Sequence, residues 1–234
     1  MAGAAAPQKD ITFDECWSIL QEEAINKMVN IFEAEEQPND KIFDSEEYMR
    51  FYTAVYHVCC SYSPDNWNQK LYDQYKKTFE DYISSKVLPS LREKSDENLL
   101  REFSRRWKNH KTMTKWLSMF LYYLSRYYIP SKRLPSLAES SHSIFYNLVY
   151  REIHEQVHDI TMSMIDRERN GEQIDQAMVS EVIKICEEMG SGNASKHDAN
   201  NIDEALVLLG EATYSFTGLR YVPNRRFFFS DFKL

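Results

Sequence analysis

His154, Glu155 and His158 spell HEQVH. This is the H-E-x-x-H pattern in which two histidines one helical turn apart hold zinc and the glutamate serves as general base for peptide hydrolysis. Such a site needs both histidines in a cleft and a further ligand. The apolar residues of the same segment, Val149, Ile153, Val157, Ile160 and Met164, recur at helical spacing, and both histidines fall roughly 100° or more away from that stripe. No G-x-x-H continuation follows, and the downstream carboxylates, Glu172 and Glu181 among them, are ordinary surface acids. The motif reads as exposed polar residues on a helix, with a zinc metalloprotease as the rival reading. His57 and His110 have no nucleophile-and-base context and read as interface or surface residues, and Cys59-Cys60 as packing at a helix end.

The elements that would position these groups are helices. None of the six glycines lies between positions 4 and 170, which leaves little means of building hairpins or a phosphate-cradling loop there. Prolines at 38, 64, 89, 130 and 135 cut that stretch into pieces of helical length. Phe13, Cys16, Trp17, Leu20, Ala24, Met28 and Ile31 form a first helical stripe. A second helix starts at Asp44, a third runs from Trp67 toward Pro89, and a fourth starts at Ser95 to Asn98 and carries Leu99, Leu100, Phe103 and Trp107. A fifth, from Lys111 to Ile129, is apolar almost all round and should be enclosed on most sides. A sixth runs from about Ser140 to Asn170-Gly171, where a left-handed cap costs little, and a seventh from Ile174 to Met189 ends at Gly190. Residues 191–201 read as a linker, Ile202 to Leu209 as a short helix, and the end as irregular or strand.

The second helix, DSEEYMRFYTAVYHVCC, has more apolar surface than a one-sided core helix needs. Asp44 and Glu47 fit a capping box, after which Tyr48, Phe51, Tyr52, Val55, Tyr56 and Cys59 follow helical spacing, with Met49 and Val58 on the flanks. The apolar sector covers roughly 200°, where a core stripe takes a little over ~100°. The surplus calls for a partner, and tyrosines suit it because ring and hydroxyl serve an apolar contact and a wet surface equally.

Charge and cysteine usage narrow the classes. The net charge is −8, yet Arg101 to Arg133 holds nine Lys/Arg against the single Glu102, so that segment is +8 and the remainder −16. A basic helix face that is solvated or paired with acidic helices of the same chain accounts for about half of the reading, and an acidic protein partner for most of the rest. Nucleic acid is disfavoured because the remaining surface repels phosphates. Cys16, Cys59, Cys60 and Cys186 show no metal-ligand spacing, the start MAGAAAPQKD has no apolar signal core, and the longest apolar run, Trp116 to Ile129, contains Arg126. The chain reads as soluble, with no membrane partner, in a reducing intracellular compartment.

The segments DSEEYMRFYTAVYHVC and WLSMFLYYLSRYYI, with LYDQYKKTFEDYI, VLPSLREKSDENLLREFSRRWKNHKTM and FYNLVYREIHEQVHDITMSMIDRERNGEQID, resemble the first repeat of a plant-type cullin, collinearly from about Phe13 to Met189. The resemblance implies an all-α fold, stacked long helices of a cullin repeat in a right-handed helical stalk. Residues 1–12 would be a disordered N-terminal tail, 13–190 the repeat, and 191–234 a divergent linker and irregular tail. It also implies a non-catalytic scaffold of a cullin-RING (SCF-type) ubiquitin ligase in cytoplasm and nucleus, without cofactor or metal. The family's adaptor surface falls here on Tyr48, Met49, Tyr52, Val55, Tyr56 and His57 of one helix and Tyr123, Arg126 and Tyr127 of another. The implied partner is an acidic Skp-type adaptor carrying an F-box protein. Nothing in these residues resembles the RING-binding domain or its modifier-acceptor lysine, so the expectation is a truncated cullin that engages no RING protein. A helical interaction module unrelated to ubiquitin is the third reading.

Overall fold

The computed structural model describes residues 11–34, 42–61 and 66–192. Every regular element among them is helical. The expected short helix at 202–209, the irregular end and nearly all of the linker and the N-terminal tail lie outside the described residues. The chain divides into two compact units, one of residues up to Pro89 plus Arg105–Leu148, the other of Ser90–Ser104 plus everything from Val149.

In the first unit, α1 (Phe13–Ile19), a π-helical turn (Leu20–Ile25) and α2 (Asn26–Glu33) follow without a break, starting from a capping box of Thr12 and Glu15. α3 (Ser45–Cys60) starts from the expected box of Asp44 and Glu47. α4 (Trp67–Tyr82) passes through a π turn (Ile83–Val87) into α5 (Leu88–Arg92), so the helical path continues through Pro89. A third π turn (Leu124–Tyr128) likewise precedes Pro130 in α7 (Ile129–Lys132). Each proline stands second in the helix that resumes, where the wider turn before it displaces the carbonyls its ring would strike. α8 (Leu137–Phe145) starts at the box of Ser136 and Glu139, earlier than the expected Ser140.

α6 (Asp96–Phe120) corrects the expectation of two helices meeting near Lys111. The first unit receives it from Arg105 onward. No glycine or proline interrupts it, and Trp107, His110, Met113, Leu117 and Phe120 keep one buried stripe running across the basic KNHK stretch.

His110 corrects a second expectation, because it is buried, 3 % exposed, rather than at the surface. Its ring lies 4.8 Å from both Phe79 and Phe145 and stacks at 5.5 Å on Trp107. Burial pushes it down to about 3, so the neutral ring donates from Nε2 to the Ser141 carbonyl 3.1 Å away. Tyr72 donates to the Pro135 carbonyl at 3.0 Å and Tyr75 to that of Leu137 at 2.8 Å, tying α4 to the start of α8. Arg106, 3 % exposed, is compensated by the Glu33 carboxylate, which also accepts from the Tyr82 hydroxyl at 3.0 Å. Burial opposes the Glu33 charge, yet the hydrogen bond and charge of Arg106 hold this carboxyl below the usual range.

In the second unit, α9 (Arg151–Arg169) and α10 (Gln176–Gly192) bury Ile153, Val157, Met164 and Ile165, and Val179, Val182, Cys186 and Met189. α10 begins two residues later than expected and runs through Gly190 to Gly192. α9 ends as expected at Gly171, whose φ of +88° suits glycine and places the Glu172 amide 3.0 Å from the Arg167 carbonyl. Among the described residues no helix is long and apolar enough to cross a membrane.

Candidate functional site

α3 is anchored at its start. Glu47 closes the capping box with the Asp44 amide at 3.0 Å and pairs with Lys27 of α2 at 2.6 Å. Both contacts, the Lys27 hydrogen bond first, hold its carboxyl below the usual range. One turn further on, Arg50 grips the Glu23 carboxylate with both of its terminal nitrogens. So fixed, α3 turns Phe51, Ala54, Val55, Val58 and Cys59 inward. Beneath it, the Phe43 ring lies 5.6 Å from Phe51, 5.1 Å from Trp116 and 5.3 Å from Phe120, with planes near perpendicular, a rigid aromatic floor.

Above that floor the outward residues form one row. Tyr48 stacks on Tyr52 at 6.1 Å, and Tyr52 on Tyr56 at 6.4 Å. Tyr56 meets Tyr123 edge to face at 5.3 Å, and Tyr123 meets Tyr127 at 4.6 Å. Tyr128 fixes the second half of the row by donating to the Gln69 side chain of α4 at 2.7 Å. The large apolar side chains that stand exposed among the described residues, Met49 at 52 %, Tyr56 at 41 %, Tyr122 at 46 % and Tyr127 at 54 %, all belong to these two helical segments. A concentration of this kind among the described residues marks an interaction face.

The face is aromatic, with phenol hydroxyls and one fixed cation. Hydrogen bonding to the Cys60 thiol, ahead of its charge, raises the Tyr56 hydroxyl and pushes that of Tyr123 up to about 12. Both remain protonated donors across the physiological range. Arg126 donates to the Tyr122 hydroxyl at 3.0 Å and lies 5.9 Å from the Tyr127 ring. Hydrogen bonds to Tyr122 and then Tyr127 raise its guanidinium further above neutrality. Nothing here is a nucleophile paired with a base. The chemistry on offer is recognition: ring burial, hydroxyl donation and one charge.

The family resemblance implied Tyr48, Met49, Tyr52, Tyr56 and His57, with Tyr123, Arg126 and Tyr127, as one surface, and the Tyr56–Tyr123 contact brings the two groups together. His57 sits half-buried at the side of the row, its ring 5.9 Å from Tyr56. Val55 is corrected: it is fully buried and supports the face from below, because the stripe that faces the core takes every inward position of α3. Sequence reasoning missed Tyr122, whose i, i+4 relation to Arg126 was the available signal, and Cys60, which is exposed beside the row.

The HEQVH residues lie on α9. His154 and Glu155 are exposed and His158 half-buried. His154 Nδ1 faces the Arg151 carbonyl at 3.1 Å, and His158 Nδ1 the Asp159 carboxylate at 3.3 Å. Among the described residues no group of three or more His, Cys, Asp or Glu stands where it could hold a metal ion.

The family model "Cullin alpha solenoid domain" matches residues 17–208, running past Gly190. The chain is 46% identical over 204 residues to Cullin-1 of Oryza sativa subsp. japonica, covering 87% of this chain and 27% of that protein. It is 39% identical over 208 residues to putative cullin-like protein 2 of Arabidopsis thaliana, covering 88% and 54%. It is 37% identical over 205 residues to cullin-like protein 3 of the same plant, covering 88% and 76%. The chain thus spans about a quarter of the first relative and about half of the second. A chain whose described elements are all helical, with a family match over most of its length and with relatives of that name on either side of 40% identity, belongs to the cullin family.

Proposed function

We propose that this chain is a non-catalytic scaffold part of a cullin-RING (SCF-type) ubiquitin ligase, acting in ubiquitin-dependent protein degradation in cytoplasm and nucleus. Its tyrosine row receives a Skp-type adaptor that carries an F-box protein. The observation that carries this reading is the placement of Met49, Tyr56, Tyr122 and Tyr127: among the described residues, the exposed large apolar side chains gather on one face, made by α3 and residues 121–128. Family membership supports the class of complex. The floor of Phe43, Phe51 and Phe120 backs α3 and meets the row at Tyr48, and a surface shaped in advance loses less entropy on binding. The test is a titration of the purified chain with a Skp-type adaptor–F-box complex. One-to-one binding that is weakened by Tyr56→Ala or Tyr127→Ala is the expected result, and no binding of the intact chain would overturn it.

A further inference from the structure

Between Glu102 and Glu139 the chain has no acidic residue, yet it carries Arg105, Arg106, Lys108, Lys111, Lys115, Arg126, Lys132 and Arg133. Two of these are used internally: Arg105 donates to the Phe32 carbonyl at 2.8 Å, and Arg106 pairs with Glu33. The lysines differ. Lys108, Lys111 and Lys115 are all exposed, on the side of α6 opposite its buried Trp107, His110, Met113 and Leu117. At 100° per residue, Lys108, Lys111, Lys115 and Tyr122 fall within a sector of about 60°. Arg126 joins them through its hydrogen bond to Tyr122. The Lys111 ammonium lies 5.4 Å from the Trp107 ring, which fixes its stem along the helix. The result is a cationic ridge about 27 Å long, from 18 residues at 1.5 Å each, that runs into the edge of the tyrosine row.

We propose that this ridge binds an acidic polypeptide segment of the same partner that covers the tyrosine row, a proposal that rests on the docking reading above. At about 3.3 Å per extended residue, the ridge accommodates about eight residues. The class of partner follows from charge and from what lies between the lysines. The remainder of the chain is strongly acidic and repels a long polyanion such as nucleic acid. No exposed aromatic stands among Lys108, Lys111 and Lys115 on which bases could stack. A short acidic segment meets the ridge without confronting the rest of the surface, and charges at the rim of an interface act mainly by speeding association and setting its salt dependence.

The test uses the full chain and two probes, a fluorescein-labelled peptide of eight glutamates and the Skp-type adaptor–F-box complex. At about 50 mM salt the peptide should bind the intact chain, and Lys108→Glu/Lys115→Glu should weaken it at least ~10-fold, the difference closing near ~500 mM. Replacing all three lysines by arginine should preserve binding, and circular dichroism checks that the reversal variant stays folded. With the adaptor complex, the reversal should slow association by about 5-fold and flatten its salt dependence, whereas Tyr52→Ala should speed dissociation and leave the salt dependence unchanged. Unchanged peptide affinity in the reversal variant would overturn the ridge, as would an oligodeoxythymidine of equal charge that binds as tightly as the peptide. Failure of the docking reading looks different: the adaptor complex would not bind the intact chain at all, and the peptide titration would still decide the ridge.

Discussion

Tyr56 and Tyr123 meet with ring centroids 5.3 Å apart and planes at 89°, and this one contact joins two sets of tyrosines, each local in sequence, into a single row. Residues 48, 52 and 56 share a face of α3 by simple helical repetition. Residues 123 and 127 do the same beyond α6. Edge-to-face geometry sets the positive ring edge of one tyrosine against the negative face of the other. The row is therefore built before any partner binds.

Tyr52 stands at the centre of the α3 half of the row, stacked on Tyr48 and on Tyr56. Truncation of a central, ordered interface aromatic typically costs on the order of 2 kcal/mol. Tyr52→Ala should therefore weaken adaptor binding roughly 30-fold, while the helical circular dichroism signal stays intact because the floor residues beneath are untouched. Isothermal titration of the variant reads this directly. Unchanged affinity would remove α3 from the interface.

His110 predicts how stability depends on pH. In the unfolded chain it takes up a proton near its ordinary value of about 6.5; in the folded chain burial holds it at about 3. Between those values the unfolded state binds the extra proton, so stability falls as pH is lowered through that window, by at most ~1.4 kcal/mol per unit. Urea unfolding at several pH values between neutrality and 4 should show this slope in the intact chain. His110→Phe, which keeps an aromatic ring in the cage of Phe79, Trp107 and Phe145, should flatten it. Glu33 adds a second decline at lower pH, because its carboxyl is held down by Arg106 and loses that pairing on protonation. That decline should persist in the His110 variant, and a slope equal in both proteins would show that His110 is not the group responsible.

The histidine pair of α9 should leave zinc alone. His154 faces a backbone carbonyl and is exposed, and the neighbouring Glu152 is committed to Arg92 at 2.6 Å. Elemental analysis of protein purified without a histidine tag should find well under one zinc per chain. Stoichiometric zinc that disappears in His158→Ala would restore the protease reading.

Much of this arrangement was legible in the sequence where the signals are local. The Asp44 and Glu47 box, the helix stop at Gly171 and the surplus width of the α3 stripe each depend on residues within a few turns of one another, and each appears in the structure. The joint at Lys111 was misplaced because a run of basic residues resembles a break in hydrophobic rhythm. The buried stripe in fact continues through His110, and a neutral imidazole among rings is sterically an aromatic core residue. Val55 was placed on the outer face by the family resemblance, and a stripe of about 200° does not itself show where core ends and docking face begins. The Phe43 floor fixes that boundary, and it unites residues 43, 51, 116 and 120, a tertiary fact that no local pattern carries. The same holds for the contact of Tyr56 with Tyr123.

If the tyrosine row takes the adaptor, the chain should occupy it without supporting ubiquitin transfer. The residues proposed to face an adaptor stand together on one surface, and the 234 residues span about a quarter of the length of Cullin-1 of Oryza sativa subsp. japonica. In a reconstituted ligase, added chain should therefore withdraw adaptor–F-box complex from full-length cullin by mass action, and substrate ubiquitination should slow progressively once its concentration exceeds its dissociation constant. Tyr52→Ala should shift that inhibition to roughly 30-fold higher concentration, in step with its affinity. A rate independent of added chain would show that the two do not share a binding surface. Ubiquitination sustained by this chain with full-length cullin omitted would overturn the scaffold reading itself, because it would require a recruitment site for the charged enzyme that the tyrosine row does not supply.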